Sequence, residues 1–405
     1  MLNPFTPASI AALPDLFFGR DEEVRLLERS VSQGSVLIQG PVGIGKSSLL
    51  SFVRTKLEGF DSNNACDSVI LVCDREATTA DDLARRLLYE FVTIDETANT
   101  IGVKLFKSTL NIESREICRF FTEGRHLDVL VRIVEHEEIR DAGNLIIAVD
   151  EADKSAAPLA RLIRTMLTSL QQRGVMNVKF LLAGVSPFFK KMVEEDPGVQ
   201  RFFSKRIPVG PLSETDAINL LETKLQAVVD DARAKQIDLR VDPDLMEQIA
   251  NLSGGHPHLL QLLGSHLIEN EEQDPDNLLD WMNLIGALRT IVYEDRDEVY
   301  KDTIEALEMN NLGQSFRELL RYANSGVPTI VARPTALDVA GTDAIEWMVD
   351  NNVLTPTANG YALVDEFLRI RLLMDEQQDQ IDETEIRLLQ NLDDDESSES
   401  SESLD

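Results

Sequence analysis

With 405 residues, 43% of them hydrophobic and 27% charged, the chain is long enough to build two or three domains around sizeable cores. Its formal net charge of −32 argues against broad, sequence-independent adhesion to nucleic acid, which needs clustered Lys and Arg against phosphates, and leaves room for a small basic patch. The three cysteines, Cys66, Cys73 and Cys118, lack paired or metal-like spacing, no apolar run reaches membrane-spanning length, and the first basic residue is Arg20, so the expectation is a soluble cytoplasmic protein.

Residues 1–18 hold three prolines and little periodicity and read as a lead-in arm. "FFGRDEEVRLLERSV" then reads as a helix capped by Asp21, with Val24, Leu27 and Val31 on one face. "SVLIQG" is a buried strand by its β-branched content, and "SSLLSFVRTKL" a helix. "SVILVCD" is a second strand, followed by a long, mostly helical stretch from about Thr79 to Ile139. "NLIIAVDEAD" is a third strand ending in carboxylates; a helix over Leu159–Gln172 leads to "VKFLLAGVS", and "KRIPVGPLS" is the fifth strand and its exit. Strands alternating with helices imply a parallel sheet covered on both faces.

From Ser213 the pattern is wholly helical, opening on a cap-like Ser213…Asp216 pair. Helices around "QSFRELLRYA" and "TDAIEWMVDNNVL", a hairpin turning at Asn359-Gly360 and a helix leaving from Glu366 suggest a winged helix. From Asp375 onward there are thirteen acidic residues and one basic, Arg387, so this end reads as an acidic, disordered tail. The divisions are an arm and pre-loop helix over 1–34, an α/β core over 35–212, a helical segment over 213–295, a winged helix over 296–374 and the acidic end over 375–405.

Gly40-Pro41-Val42-Gly43-Ile44-Gly45-Lys46-Ser47 fits GxxxxGK[ST] between a strand and a helix. Glycines let backbone N–H groups turn inward around a phosphate, and the N-terminal end of the helix, with Ser48 behind Ser47, adds its positive dipole. Lys46 would reach the β- and γ-phosphates, and the Ser47 hydroxyl would ligate Mg²⁺. In "LIIAVDEAD" a buried strand delivers Asp150 to its carboxyl end, where it can hold the water shell of Mg²⁺, and Glu151 can polarise an attacking water. ATP with Mg²⁺ is the ligand these two motifs imply, and Glu151 points to hydrolysis.

These stretches resemble the AAA+ superfamily, and within it the branch holding archaeal origin-recognition initiators and STAND signalling ATPases. The resemblance places Phe18, Gly19 and Arg20 near the adenine. It makes "LLAGVSP" similar to sensor 1, with Ser186 at the key position. It makes "VQRFFSKRIPVGPLSETDA" similar to the segment carrying the arginine finger, with Arg201 first and Arg206 second. "LSGGHPHLLQLLGSHL" resembles the lid helix of sensor 2, but Pro257 stands where initiators place an arginine, as in the Gly-x-Pro motif of STAND ATPases. The resemblance implies an αβα core with a five-stranded parallel sheet, a helical lid and a C-terminal winged helix. The loss of the sensor-2 arginine implies slow turnover and favours a nucleotide-gated switch acting on a protein partner. An arginine finger presented in trans would imply a nucleotide-dependent homo-oligomer.

The helix expected to enter a DNA groove carries Asp343, Glu346 and Asp350 and no Lys or Arg, so a protein-docking role is preferred for the winged helix. A DNA-acting initiator, loader or transposition regulator would have to use Lys190, Lys191, Lys205 and Arg206; a third reading is a scaffold that keeps ATP without hydrolysing it.

Overall fold

The computed structural model describes residues 2–7, 9, 17–58, 66–73, 75–95, 99–105, 108–141, 143–185, 188–273, 277–323 and 329–377. They fall into two units, one spanning Ile10–Gly210 and the other joining Met1–Ser9 to Pro211–Asp405. Ser186 and the tail beyond residue 377 lie outside the described residues.

The first unit runs α1 (Asp21–Gln33), β1 (Ser35–Gln39), α2 (Lys46–Glu58), β2 (Cys66–Val72), α3 (Ala80–Phe91), β3 (Val92–Asp95), β4 (Thr100–Leu105), β5 (Ser108–Glu113), α4 (Arg115–Thr122), α5 (His126–Glu135), α6 (Glu137–Arg140), β6 (Asn144–Asp150), α7 (Ala156–Gln172), β7 (Val178–Gly184), α8 (Phe188–Glu195) and β8 (Phe203–Pro208). The main sheet has the order β2-β6-β7-β1-β8 and is parallel throughout. β1, β2, β6 and β7 read as apolar runs because a parallel sheet buries its faces, whereas edge strand β8 exposes Ser204, Lys205 and Arg206 and buries Ile207. Alternate residues divide between the faces. Val36, Ile38, Ile146, Ala148 and Leu181 join Val24, Leu27 and Leu50 of α1 and α2. Leu37, Ile147, Val149 and Leu182 join Leu83, Leu87, Val129, Leu159 and Ile163 of α3, α5 and α7.

Two local expectations are corrected. Asp21 does not cap α1: Arg20 takes the cap position without a side-chain cap bond, and Asp21, Glu22 and Glu23 fill the first turn, where their charge suits the helix dipole. The stretch from Thr79 to Ile139 is not mostly helical, since β3, β4 and β5 form an antiparallel sheet between α3 and α4. Here Ile101, Val103 and Leu105 are buried while Lys104 is exposed, a period of two that pins the segment as strand.

The second unit runs α9 (Glu214–Ala234), β9 (Arg240–Val241), α10 (Leu245–Leu252), α11 (Pro257–Gln273), β10 (Leu278–Leu279), α12 (Trp281–Thr290), a π turn (Ile291–Asp295), α13 (Asp297–Met309), α14 (Gly313–Arg321), β11 (Ile330–Ala332), α15 (Arg333–Ala340), α16 (Thr342–Asp350), β12 (Leu354–Pro356), β13 (Gly360–Leu363) and α17 (Glu366–Gln377). Ser213 caps α9, accepting from Asp216 N at 3.1 Å. From α14 to β13 the order is helix, strand, two helices and a hairpin, with β13 between β11 and β12 in an antiparallel sheet. The segment from Ala287 to Tyr300 runs from α12 through the π turn and a bend at Arg296 into α13. Arg371 of α17 donates there to Val292 O at 3.2 Å and pairs with Asp297 at 2.7 Å.

Residues 2–7 of the N-terminal arm are a built part of this second unit. Phe5 is 4% exposed and lies so close to Gly264 of α11 that an added Cβ would meet its ring at 2.2 Å. Lys224 Nζ donates to Pro4 O at 2.6 Å, Asn3 Nδ2 donates to Ser265 Oγ at 3.0 Å, and Thr6 N donates to Gln261 Oε1 at 3.0 Å. Phe5→Ala is therefore expected to lower the unfolding free energy of the chain by about 3 kcal/mol, read by chemical denaturation.

Candidate nucleotide-binding site

β1 ends at Gln39, and the loop Gly40–Gly45 carries the chain into α2 at Lys46. Gly43 and Gly45 have φ of +76° and +95°, left-handed values that a side chain would strain. Ile44 is fully buried and anchors the loop in the core between them. The Lys46 ammonium folds back on the loop, donating to Gly40 O at 2.9 Å and Pro41 O at 2.6 Å. Burial lowers the Lys46 pKa to about 8, and the charges of Asp153, Asp150 and Glu151 oppose that fall. Ser47 and Ser48 are half-buried in the first turn of α2, Pro41 is half-buried, and Val42 is exposed at the loop tip.

β6 lies one strand away from β1, separated by β7. Its last residue, Asp150, is buried, and Oδ1 accepts from Glu151 N at 2.9 Å. Glu151 has left-handed backbone, φ +52°, and its carboxylate pairs with Lys154 Nζ at 2.6 Å. Two residues on, Asp153 Oδ1 accepts from Val185 N at 3.0 Å, tying the acidic turn to the end of β7 just before Ser186. Sequence reasoning did not single out Asp153 or Lys154. Their spacing after Glu151 was the available signal.

Phe18 is half-buried and Gly19, at φ +64°, turns the chain into α1. Arg20 points inward. It is 6% exposed, with Nη2 donating to Ile44 O at 3.2 Å and Gly210 O at 2.6 Å and Nη1 paired with Glu23 at 3.1 Å. Both finger candidates lie on the exposed surface of this unit. Arg201 donates to Thr168 Oγ1 at 3.0 Å and lies over the Phe202 ring, while Arg206 lies over the Phe189 ring at 4.1 Å. Neither is paired with a carboxylate among the described residues. In the other unit, Gly254 and Gly255, at φ +59° and +68°, end α10, and Pro257 opens α11.

The residues fit a nucleotide with a hard divalent cation. The glycine loop offers inward N–H groups at a helix N-terminus, and a serine hydroxyl with a buried carboxylate is the oxygen donor set that Mg²⁺ takes. Lys46 is charged below about pH 8 and neutral above it. A triphosphate binds the charged form, so ATP affinity is expected to be full at pH 7 and to fall as pH rises from 8 to 9, while Lys46→Met is weak and flat; titration calorimetry reads both. The same shift has the opposite sign for the ligand-free fold, which gains stability as pH rises from about 8 toward the ordinary lysine value.

No curated protein matches the chain. Among solved structures, a Walker-type ATPase of Pyrococcus abyssi aligns over 90% of this chain and 99% of its own, with 19% identity and a TM-score of 0.58. The ORC2 protein of Aeropyrum pernix, in ADPNP-ADP complexes, aligns over 88% of this chain and 93% of its own, with 14% identity and a TM-score of 0.49. The RuvB Holliday junction branch migration motor of Thermotoga maritima aligns over 92% and 99%, with 11% identity and a TM-score of 0.44. The family match runs over residues 2–393: the chain belongs to the Novel STAND NTPase 1 family, and is a P-loop NTPase of the STAND type.

Proposed function

We propose that the protein binds and slowly hydrolyses ATP with Mg²⁺ and acts as a nucleotide-gated switch for a protein partner. The observation that carries this reading is the convergence in one unit of the Gly40–Ser47 loop, buried Lys46 and the Asp150-Glu151 strand end, with Pro257 in place of a lid arginine in the other. Backbone amides of the loop and Lys46 hold the phosphates. Ser47 and Asp150 would hold the cation, which would supply positive charge to the bound phosphates. Glu151 orients the attacking water, and to do so it must exchange its bond to Lys154 for that water. Ser186 senses the γ-phosphate, and exposed Arg201, or Arg206, reaches the γ-phosphate of a neighbouring copy in a nucleotide-dependent homo-oligomer.

In this reading residues 35–212, with 1–34 before them, form the ATPase core, 213–295 the lid, 296–374 a protein-docking winged helix and 375–405 an acidic end, in a cytoplasmic setting. No helix among the described residues is long and apolar enough to cross a membrane. Helix α16 exposes Asp343, Glu346 and Asp350 and buries Ala344, Ile345 and Met348, so its outer face repels phosphate.

A second reading, a DNA-acting ATPase, is favoured by one feature. Lys190, Lys191, Lys205 and Arg206 are exposed on α8 and edge strand β8 of a strongly acidic protein, without carboxylate partners among the described residues. Steady-state hydrolysis with Mg²⁺, titrated with duplex DNA, separates the two. The switch reading expects a slow rate indifferent to DNA, with turnover reduced at least ~100-fold in Glu151→Gln and ATP affinity retained. Clear stimulation by DNA would move the second reading to first place. Turnover unchanged in Glu151→Gln would remove Glu151 from the chemistry, and tight binding without turnover in the wild type would leave a scaffold that keeps ATP.

A further inference from the structure

Arg20 is more deeply engaged than a residue lining a base pocket needs to be. A buried guanidinium is costly unless its donors are met. Here one nitrogen, Nη2, bridges two carbonyls far apart in sequence, Ile44 O of the phosphate loop at 3.2 Å and Gly210 O at 2.6 Å, and Nη1 pairs with Glu23 at 3.1 Å. Gly210 is the last residue of the first unit, the point where the chain leaves it.

The phosphate loop touches this exit at a second place. A Cβ on Gly40 would stand 2.5 Å from Val209 O, and Val209 N donates to Gln39 O at 2.7 Å. Any rearrangement of the loop about a phosphate therefore moves against the backbone of residues 209–210. Two residues further, within the second unit, Leu212 N donates to Gly255 O at 2.8 Å. A Cβ on Gly255 would meet Leu212 O at 2.4 Å, so this approach is as close as two backbones allow. Gly255 stands two residues before Pro257. Each unit thus grips one end of the same three-residue connection, 210–212.

We infer that Arg20 is a positioning residue: with Gly210 on one side and Leu212–Gly255 on the other, it forms a backbone relay that links the phosphate loop to the Gly255–Pro257 segment. The inference rests on the nucleotide-binding reading above and adds a named route by which an occupied loop changes the lid. Coupling between two sites is reciprocal, so loosening the relay at either end must change nucleotide affinity.

The test is a double-mutant cycle on the full chain, measuring the Kd of a non-hydrolysable ATP analogue with Mg²⁺ by titration calorimetry. Arg20→Met removes the donors at the core end, and Gly255→Ala forces Leu212 away at the other. Each single variant is expected to weaken binding roughly tenfold, and the double variant no more than the weaker single one. Arg20→Lys, which keeps the charge and part of the hydrogen bonding, is expected to be intermediate, and it replaces Arg20→Met in the cycle if that variant fails to fold. Fold-changes that multiply in the double variant would overturn the relay. Affinity within about twofold of wild type in Arg20→Met, with only the unfolding midpoint of the ligand-free protein lowered, would make Arg20 purely structural and overturn it as well. Wild-type protein that binds no analogue would instead overturn the nucleotide reading itself.

Discussion

At Gly40 the loop that follows β1 lies against the strand leaving β8 with no room for a methyl group between them, 2.5 Å from an added Cβ to Val209 O. That approach is set by the sheet. β1 is flanked by β7 and β8, all parallel, so their carboxyl ends and the loops that follow crowd one edge. The glycine loop after β1, Asp150 at the end of β6 with Glu151 next to it, and Val185 after β7, held by Asp153, all stand on that edge. The inner strands leave little other place for polar groups, because both faces of the sheet are filled by helices, and edge strand β8 exposes Ser204, Lys205 and Arg206 along its length.

The electrostatics follow from the same geometry. Burying the Lys46 ammonium disfavours its charge, three carboxylates restore part of it, and two loop carbonyls accept its hydrogen bonds. The result is a cation held close to its titration point and bonded by neutral acceptors that a phosphate can displace. Glu151 is held differently. Its bond to Lys154 is solvent-exposed, and exposed pairs of this kind contribute little stability, on the order of 0–1 kcal/mol, so the carboxylate can leave that partner at small cost.

In the second unit buried charge serves architecture. Glu366 accepts from Thr329 N at 2.6 Å and Thr329 Oγ1 at 2.7 Å, joining the start of α17 to the start of β11. Arg296 pairs with Asp365 at 2.8 Å, and Tyr300 donates to the same carboxylate, which fastens α13 to the turn before α17. These bonds fix the helices around the small antiparallel sheet and leave α16 presenting its acidic side outward. Burial of the Tyr300 hydroxyl pushes its pKa up, so it stays a donor across the physiological range.

The sequence by itself determined the elements whose residues must be what they are for local reasons. The inner strands β1, β6 and β7 were plain because full burial demands continuous apolar runs. The phosphate loop was plain because only glycine turns there, the Ser213 cap because its hydroxyl meets Asp216 N, and the hairpin because its turn residues announce it. Tertiary structure alone decided the rest. The β3–β5 sheet was missed although Ile101, Val103 and Leu105 alternate, because three short strands are too brief to outweigh the helical pattern on either side until they pair with one another. Residues 2–7 of the arm became part of the second unit because Gly264, far away in sequence, leaves space for Phe5. Arg20 turned inward because Ile44 and Gly210 bring their carbonyls to it from 24 and 190 residues away. A local pattern records what a residue prefers, and only the folded chain supplies the partner that decides between two preferences.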